Sequence, residues 1–217
     1  MTIAAIKPTT IAEFLQLPET KPASEFIHGQ IRQKPMLQGE HSQLQIDLCE
    51  TINQITKPQK IAKAFPELSC VFGGLAIVPD IVVFRWERIP RLPSGRIANR
   101  FEIHPDWAIE ILSPDQYYCQ FSQICLKPNK IVTISIGFQG FGNSIADQRY
   151  KQVLAKLLHC AEYGTELGWL LDPEDESILV VDSDRRVREL KNSDRLPVIT
   201  GVKLDITVRE VFSWLIF

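Results

Sequence analysis

The sequence has no excess of positive charge. Its 24 lysine and arginine residues face 26 aspartate and glutamate residues, so the formal net charge is -2 and the pI is about 6.1. A protein that coats nucleic acid with its whole surface would be strongly basic. Any contact with nucleic acid must therefore come from a local patch.

Long apolar runs and paired cysteines are also missing. No stretch approaches the ~18 uninterrupted apolar residues of a membrane helix, and the segment Met1 to Pro8 lacks the basic and apolar regions of a secretory signal. The cysteines are odd in number and form no CxxC pair, which predicts neither a zinc ribbon nor a disulfide framework. They are Cys49, Cys70, Cys119, Cys125 and Cys160. These absences favour a cytoplasmic protein that is not bound to a membrane.

The composition is that of an ordinary globular domain. Of 217 residues, 45% are hydrophobic and 23% are charged, which is enough to build a sizeable core. Helical periodicity runs from Glu40 to Ile55 and again from about Asp147 to Tyr163, with short apolar strands between and after them. This order predicts a single α/β domain over residues 1–217 with a mixed sheet.

Two apolar runs each contain one carboxylate. Asp80 lies within Leu75 to Phe84, and Glu110 lies within Trp107 to Leu112. Such runs predict strands buried on both faces, where an ionised carboxylate is costly unless a cation or strong donors compensate it. A Mg²⁺ ion between the two carboxylates would resolve both costs. The alternative is that both lie at strand ends, exposed to water or paired with arginine.

The motifs around these carboxylates resemble the putative restriction endonuclease family of the PD-(D/E)XK nuclease superfamily. The resemblance covers about residues 20–116 and 147–217. It is carried by Ser24 to Gln30, Glu40 to Ser42, Val78 to Val83, Ala108 to Pro114 and Leu167 to Pro173. It implies a restriction-endonuclease-like central mixed sheet flanked by helices, with a Mg²⁺- or Mn²⁺-dependent site that cleaves phosphodiester bonds in DNA. A homodimer is left open.

The resemblance assigns a catalytic set to this sequence. Asp80 and Glu110 would be the metal ligands, but Leu112 occupies the position of the superfamily lysine. A lysine in the following helix replaces it in this family, and Lys156 matches that position. Lys156 would orient the attacking water or stabilise charge on the phosphate. The alternatives are that Lys151 takes this role, or that Lys156 is a solvated helix residue.

The N-terminal part of the resemblance adds two residues near the active-site cleft. His41 begins the long helix and would contact phosphate or carry a proton near neutral pH; alternatively, it faces water. Glu25 precedes the first predicted turn and is expected at the cleft as well. Glu67 is a weaker metal candidate on a neighbouring strand.

A stretch rich in arginine lies between the two carboxylate strands. It holds five arginines against one acid, Glu87, and contains two prolines and a glycine, which predict a loop. The arginines are Arg85, Arg88, Arg91, Arg96 and Arg100. Arginine suits phosphate contact, so this loop is the expected nucleic-acid-binding patch near the site. The alternative is a solvated connector.

A segment at residues 117–148 interrupts the resemblance. The pair Asp115-Gln116 recurs as Asp147-Gln148, an offset of 32 residues (147 − 115). Removing Tyr117 to Gln148 would shorten the separation of Glu110 and Lys156 from 46 residues to 14 (46 − 32), the spacing typical of the family. This pattern predicts an insertion, although a dipeptide repeat can also arise by chance.

Three functions are compatible with these observations. The first is a metal-dependent endonuclease acting on DNA. The second is a descendant whose catalysis is impaired by the insertion but which still binds nucleic acid. The third is a protein–protein interaction module that uses the apolar run Ile131 to Phe138 of the insertion.

Overall fold

The computed structural model describes residues 10–113 and 145–216. The order of elements alternates short helices with groups of strands, as the sequence predicts. The helices are α1 (Ile11–Phe14), α2 (Gly39–Thr56), a 3-10 turn (Trp86–Arg88), α3 (Ile145–Glu162) and α4 (Val208–Ser213). The strands are β1 (Ser24–Ile27), β2 (Gln30–Gln33), β3 (Ala62–Pro66), β4 (Cys70–Phe72), β5 (Leu75–Ile77), β6 (Ile81–Arg85), β7 (Trp107–Ile111), β8 (Leu167–Asp172), β9 (Ser177–Asp182) and β10 (Val187–Lys191).

The larger sheet has six strands in the order β10-β9-β8-β7-β6-β3. All neighbours are antiparallel except β7 and β8, which are parallel. A parallel pair needs a crossover connection, and α3 supplies it between β7 and β8. This topology confirms the predicted mixed sheet flanked by helices.

A second sheet of four antiparallel strands has the order β2-β1-β5-β4. The turn between β1 and β2 contains His28 and Gly29, which have φ values of 49° and 76°. Two successive positive φ angles are typical of a type I′ hairpin turn. The predicted strand–turn–strand around Gly29 is therefore confirmed.

The core consists of two apolar layers, one on each face of the larger sheet. The first layer packs α2 and α4 against alternate strand residues such as Val83 and Ile109. The second packs α3 and the smaller sheet against the intervening residues, such as Val82 and Ala108. Strands β6 and β7 are thus covered on both faces, which explains their continuous apolar sequence.

The apolar run Leu75 to Phe84 is not one strand, as the sequence suggested, but two strands in different sheets. Strand β5 ends at Ile77 and β6 begins at Ile81. The break falls on Val78, Pro79 and Asp80, because proline lacks the N–H needed to continue a sheet ladder. Asp80 therefore lies just before a strand, where its side chain is free to turn towards other elements.

Two short helices begin with capping boxes, which the sequence predicts from the spacing of Thr10 to Glu13 and of Thr207 to Glu210. The hydroxyl groups of Thr10 and Thr207 accept hydrogen bonds from the backbone N–H groups of Glu13 and Glu210. The predicted second long helix begins at Ile145, two residues before the expected start. Among the described residues, no helix is both long and apolar enough to cross a membrane.

Candidate active site

A cleft opens at the end of the larger sheet where β6 begins and β7 ends. Ile81 pairs with Ile109 across the antiparallel strands, so continuing the register by one residue brings Asp80 beside Glu110. Four further polar side chains from other elements are buried with them. We call these six residues the cleft cluster: Glu25, Lys34, His41, Asp80, Glu110 and Lys156.

Both oxygens of the Asp80 carboxylate have donors. Oδ2 accepts a hydrogen bond from the backbone N–H of Ile111 at 2.7 Å and lies 3.1 Å from Nε2 of His41. Oδ1 accepts a hydrogen bond from Nζ of Lys34 at 2.6 Å. Burial by itself would raise the pKa of Asp80, but the charge of Lys34 and the contact with His41 hold it well below its usual range. Asp80 is therefore an anion at neutral pH.

Glu25 and Glu110 share the ammonium group of Lys156. Its Nζ lies 3.0 Å from Oε1 of Glu25 and 2.7 Å from Oε1 of Glu110. Glu25 Oε1 also accepts a hydrogen bond from the backbone N–H of Val78 at 2.8 Å. The approach of Lys156 to Glu110 lacks the alignment of a hydrogen bond, which leaves this oxygen buried without a hydrogen-bond partner among the described residues.

This difference between the carboxylates appears in their pKa values. Burial raises the pKa of Glu110 from 4.5 to about 8, although Lys156 acts in the opposite direction. Burial by itself would lower the pKa of Lys156, but Glu110 and Glu25 raise it above its usual range. The two lysines are too few for three buried carboxylates, and Glu110 is the group whose negative charge is least compensated.

The cleft can accept a further cation. When its glutamates and aspartate are ionised, the cleft cluster holds one more carboxylate than ammonium group. The cleft encloses about 170 Å³ and is also lined by Arg32, Ser113 and Gln152, which is enough room for a hydrated ion. Among the described residues, no group of three or more His, Cys, Asp or Glu side chains is placed to hold a metal ion. Mg²⁺ needs none, since it is commonly held by one or two carboxylates with water and phosphate oxygens. The residues present fit such an ion.

The two alternatives in which the charged residues face water do not describe the cleft. Asp80 and Glu110 are 2% and 3% exposed, and Asp80 is paired with lysine rather than with arginine. Lys156 and His41 are 7% and 3% exposed. Leu112, at the position of the superfamily lysine, is 1% exposed and belongs to the second apolar layer. The ammonium group that approaches Glu110 therefore comes from α3.

Lys34 is the member of the cleft cluster that the sequence did not reveal. It follows β2 in the segment Gln33-Lys34-Pro35, where nothing in the local pattern distinguishes it from a surface lysine. Its side chain is only 8% exposed because the smaller sheet carries it to the break before β6. Glu67, the weaker metal candidate, lies at the rim with a side chain 44% exposed and 3.8 Å from Lys34 Nζ.

The predicted nucleic-acid-binding loop begins at the opposite end of β6 from Asp80. Arg85 is five residues after Asp80 along an extended strand, a distance of about 16 Å. The start of this loop therefore does not lie beside the carboxylates, as expected, because the loop leaves from the far end of an antiparallel strand pair. Its last part returns to the smaller sheet, where Phe101 pairs with Cys70. Arg91, Arg96 and Arg100 are exposed on it.

Arg85 and Arg88 are engaged within the protein. Arg88 Nη1 lies 2.6 Å from Oδ1 of Asp106, and Arg85 Nη2 lies 2.5 Å from Oε2 of Glu166. The backbone N–H of Arg85 also donates to Asp106 Oδ2 at 2.7 Å. We call these four residues the arginine cluster. The predicted insertion at residues 117–148 lies outside the described residues, apart from the start of α3.

Comparisons with known proteins agree with the resemblance seen in the sequence. Residues 11–122 match the family described as Uma2, putative restriction endonuclease. A solved structure, described as a putative nuclease belonging to DUF820 from Anabaena variabilis ATCC 29413, is 41% identical in sequence. The match covers 96% of this chain and 100% of that chain, with a TM-score of 0.79. A search of curated proteins gave no match.

Proposed function

Since the chain belongs to the Uma2 putative restriction endonuclease family, we propose that it is a divalent-metal-dependent nuclease that hydrolyses phosphodiester bonds in DNA. The observation that carries the proposal is that the cleft cluster buries three carboxyl groups, Glu25, Asp80 and Glu110, with only two ammonium groups, so that full ionisation of the carboxyl groups needs a further cation. Glu110 has a buried oxygen without a hydrogen bond, and Lys156 lies 2.7 Å from it. Burying such a charge is costly unless a cation compensates it.

Asp80 and Glu110 would hold Mg²⁺ or Mn²⁺ between them. The chemistry that such an ion supplies is a lower pKa for bound water and neutralisation of charge on the phosphate. Lys156 would direct its ammonium group at the attacking oxygen or at the charge that develops on the phosphate. Glu25 fixes Lys156 in position, and His41 and the backbone of Ile111 fix the Asp80 carboxylate.

The proposal is tested by measuring metal binding and cleavage separately. Calorimetric titration with Mg²⁺ and Mn²⁺ should give binding to the parent protein and at least a tenfold loss of affinity in Asp80→Ala and Glu110→Ala. The matched control is Asp175→Ala, an exposed carboxylate in the turn between β8 and β9, which should bind metal like the parent. Unchanged metal affinity in both cleft variants would overturn the site.

Cleavage is measured on plasmid DNA and on single-stranded RNA with and without the metal. We expect metal-dependent cleavage of DNA that Lys156→Met reduces by about a hundredfold or more. Lys151→Met is the control for the alternative lysine and should cleave like the parent. Salt-dependent DNA binding without cleavage would instead identify a descendant that has lost catalysis.

We also propose that residues 117–148 are an insertion in a single domain. Two observations support the insertion: the Asp-Gln pair is repeated, and removing the segment gives Glu110 and Lys156 the spacing typical of the family. A variant lacking Tyr117 to Gln148 should keep or raise the melting temperature, because insertions at turns contribute few core contacts. Its cleavage should rise, since catalysis is sensitive to displacement of Lys156 by ~1 Å. Failure of this variant to fold would overturn the insertion.

A further inference from the structure

Lys34 holds a position in the cleft that a divalent cation would need. Its Nζ donates to Oδ1 of Asp80 at 2.6 Å and to the backbone carbonyl of Val78 at 2.9 Å. Oδ2 of Asp80 already receives the N–H of Ile111 and lies against His41. A carboxylate oxygen has about two lone pairs, so Oδ1 is the oxygen of Asp80 with room for a cation, and Lys34 takes one of its two acceptor sites.

A second carboxylate lies within reach of the same ammonium group. Glu67 Oε1 is 3.8 Å from Lys34 Nζ, at the solvent side of the cleft. The backbone N–H of Glu67 donates to the carbonyl oxygen of Asp80 at 3.0 Å, and the residue has a φ of 44°, uncommon for a glutamate. The backbone thus fixes Glu67 directly after β3 and beside Asp80, which keeps its carboxylate near Lys34.

We propose that Lys34 competes with the divalent cation for Asp80 and that Glu67 is the acceptor to which its ammonium group moves when the cation binds. Before metal binding, Lys34 compensates the buried charge of Asp80. When a cation occupies Oδ1, two positive charges so close together repel each other, and a shift of Lys34 towards Glu67 relieves this repulsion. Lys34 and Glu67 are therefore positioning residues that set the metal affinity. This inference rests on the proposed metal site at Asp80 and Glu110.

The two residues should act on metal affinity in opposite directions. Lys34→Met removes the competing cation, so Mn²⁺ should bind about tenfold more tightly or better in calorimetric titration. Glu67→Gln removes the alternative acceptor and leaves Lys34 on Asp80, so binding should weaken by roughly threefold or more. In the double variant, the effect of Glu67→Gln should largely vanish, because there is no ammonium group to receive. Lys203→Met, which changes an exposed lysine, is the control and should bind metal like the parent.

Thermal unfolding gives a readout that does not depend on activity. In EDTA, Lys34→Met should melt below the parent because Asp80 has lost its counter-charge, and saturating Mn²⁺ should narrow the difference. If Lys34→Met does not fold, the Mn²⁺ affinity of Glu67→Gln still tests the inference. The Glu67 side chain is half exposed, so replacing it leaves the core intact.

The outcomes separate this inference from the proposed function. If the parent binds Mn²⁺ but Lys34→Met binds it equally or more weakly, Lys34 only anchors its loop and the inference is overturned. If Glu67→Gln weakens binding as much in the Lys34→Met background as in the parent, Glu67 acts on the metal directly and the inference is again overturned. If neither the parent nor any variant binds a divalent cation, the proposed metal site itself fails.

Discussion

The two ends of the β6–β7 strand pair both carry charged side chains, yet the two groups differ in how they are balanced. At one end, the arginine cluster pairs two guanidinium groups with the carboxylates of Asp106 and Glu166. Glu166 also accepts hydrogen bonds from the backbone and hydroxyl of Thr200 at 2.6 and 2.7 Å. Positive and negative charges are equal there.

The cleft cluster at the other end is more deeply buried and less well balanced. It holds one carboxylate too many, and an oxygen of Glu110 accepts no hydrogen bond within the described residues. A network that only stabilises the fold gains nothing from burying more carboxyl groups than it has cations to compensate. The two ends therefore differ in charge balance and depth of burial rather than in the presence of charge, and this difference marks the cleft as the candidate active site.

Removing the ammonium group of Lys156, which Glu25 and Glu110 share, should give the largest loss of stability. Lys156→Met leaves Glu25 and Glu110 buried without their shared partner, so the free energy of unfolding should fall by about 3–5 kcal/mol at neutral pH without metal. Urea unfolding followed by circular dichroism measures the change. Lys203→Met on the surface should change it by less than about 0.5 kcal/mol. A loss as small as that of the surface variant would mean that Lys156 compensates no buried charge in the cleft.

Asp80 and Glu110, the proposed metal ligands, should respond to pH with opposite signs. The pKa of Asp80 is lowered in the fold, so its contribution to stability is present above the 3.8 of a free aspartate and is lost as pH falls. The pKa of Glu110 is raised to about 8, so its ionisation reduces stability as pH rises from 4.5 through 8.

The test of this difference is a pair of neutral variants in EDTA at pH 5 and pH 9. Asp80→Asn should lower the free energy of unfolding at both values, by about 2–3 kcal/mol. Glu110→Gln should change it little at pH 5 and raise it at pH 9, because an amide cannot acquire the costly charge. If Glu110→Gln is no more stable than the parent at pH 9, the surplus charge does not reside on Glu110.

Removing a guanidinium group from the arginine cluster should reduce stability by a smaller amount and leave the cleft unchanged. Arg88→Met removes a guanidinium group that is 28% exposed from a carboxylate that is 9% exposed. The expected loss in the free energy of unfolding is about 1 kcal/mol, since Asp106 keeps the backbone N–H of Arg85 and partial access to water. Calorimetry should give the same Mn²⁺ affinity as the parent, and a loss of metal binding would show that the two ends are coupled.

The exposed arginines of the same loop should affect neither stability nor metal binding. Replacing Arg91 and Arg96 with serine should weaken DNA binding and reduce the slope of log affinity against log salt by ~1 to 2 units if both contact phosphate. Fluorescence anisotropy over a range of salt concentrations measures the slope. Arg85 and Arg88 are left unchanged in this variant because they form ion pairs within the protein. An unchanged slope would identify the loop as a connector.

The sequence identified the two carboxylates of the cleft without the structure, because charge within an apolar run is conspicuous. Asp80 and Glu110 follow from the two runs alone, and the capping boxes at Thr10 and Thr207 fixed the starts of α1 and α4. An apolar run in the sequence does not show where one strand ends and the next begins, however. Pro79 divides the first run between two sheets, which the pattern of apolar residues could not distinguish from one long strand.

The misplacement of the arginine loop has a simple topological cause. Residues that lie between Asp80 and Glu110 in sequence need not lie near them in space. When two antiparallel strands carry their functional groups at the open end of the pair, the connecting loop begins one strand length away. Arg85 and Arg88 are paired with Glu166 and Asp106, and nothing in the sequence indicated that Glu166 would meet them.

Local pattern by itself predicted the α/β fold class, the two buried carboxylates Asp80 and Glu110 and the starts of α1 and α4, because burial and capping act between residues close together in the chain. The tertiary structure alone decided the balance of charge in the cleft. Lys34 reaches Asp80 across 46 residues of sequence, and Lys156 reaches Glu25 across 131. Neither lysine differs from a surface lysine in its local sequence, since the carboxylates that pair with them lie on or beside strands far away in the chain.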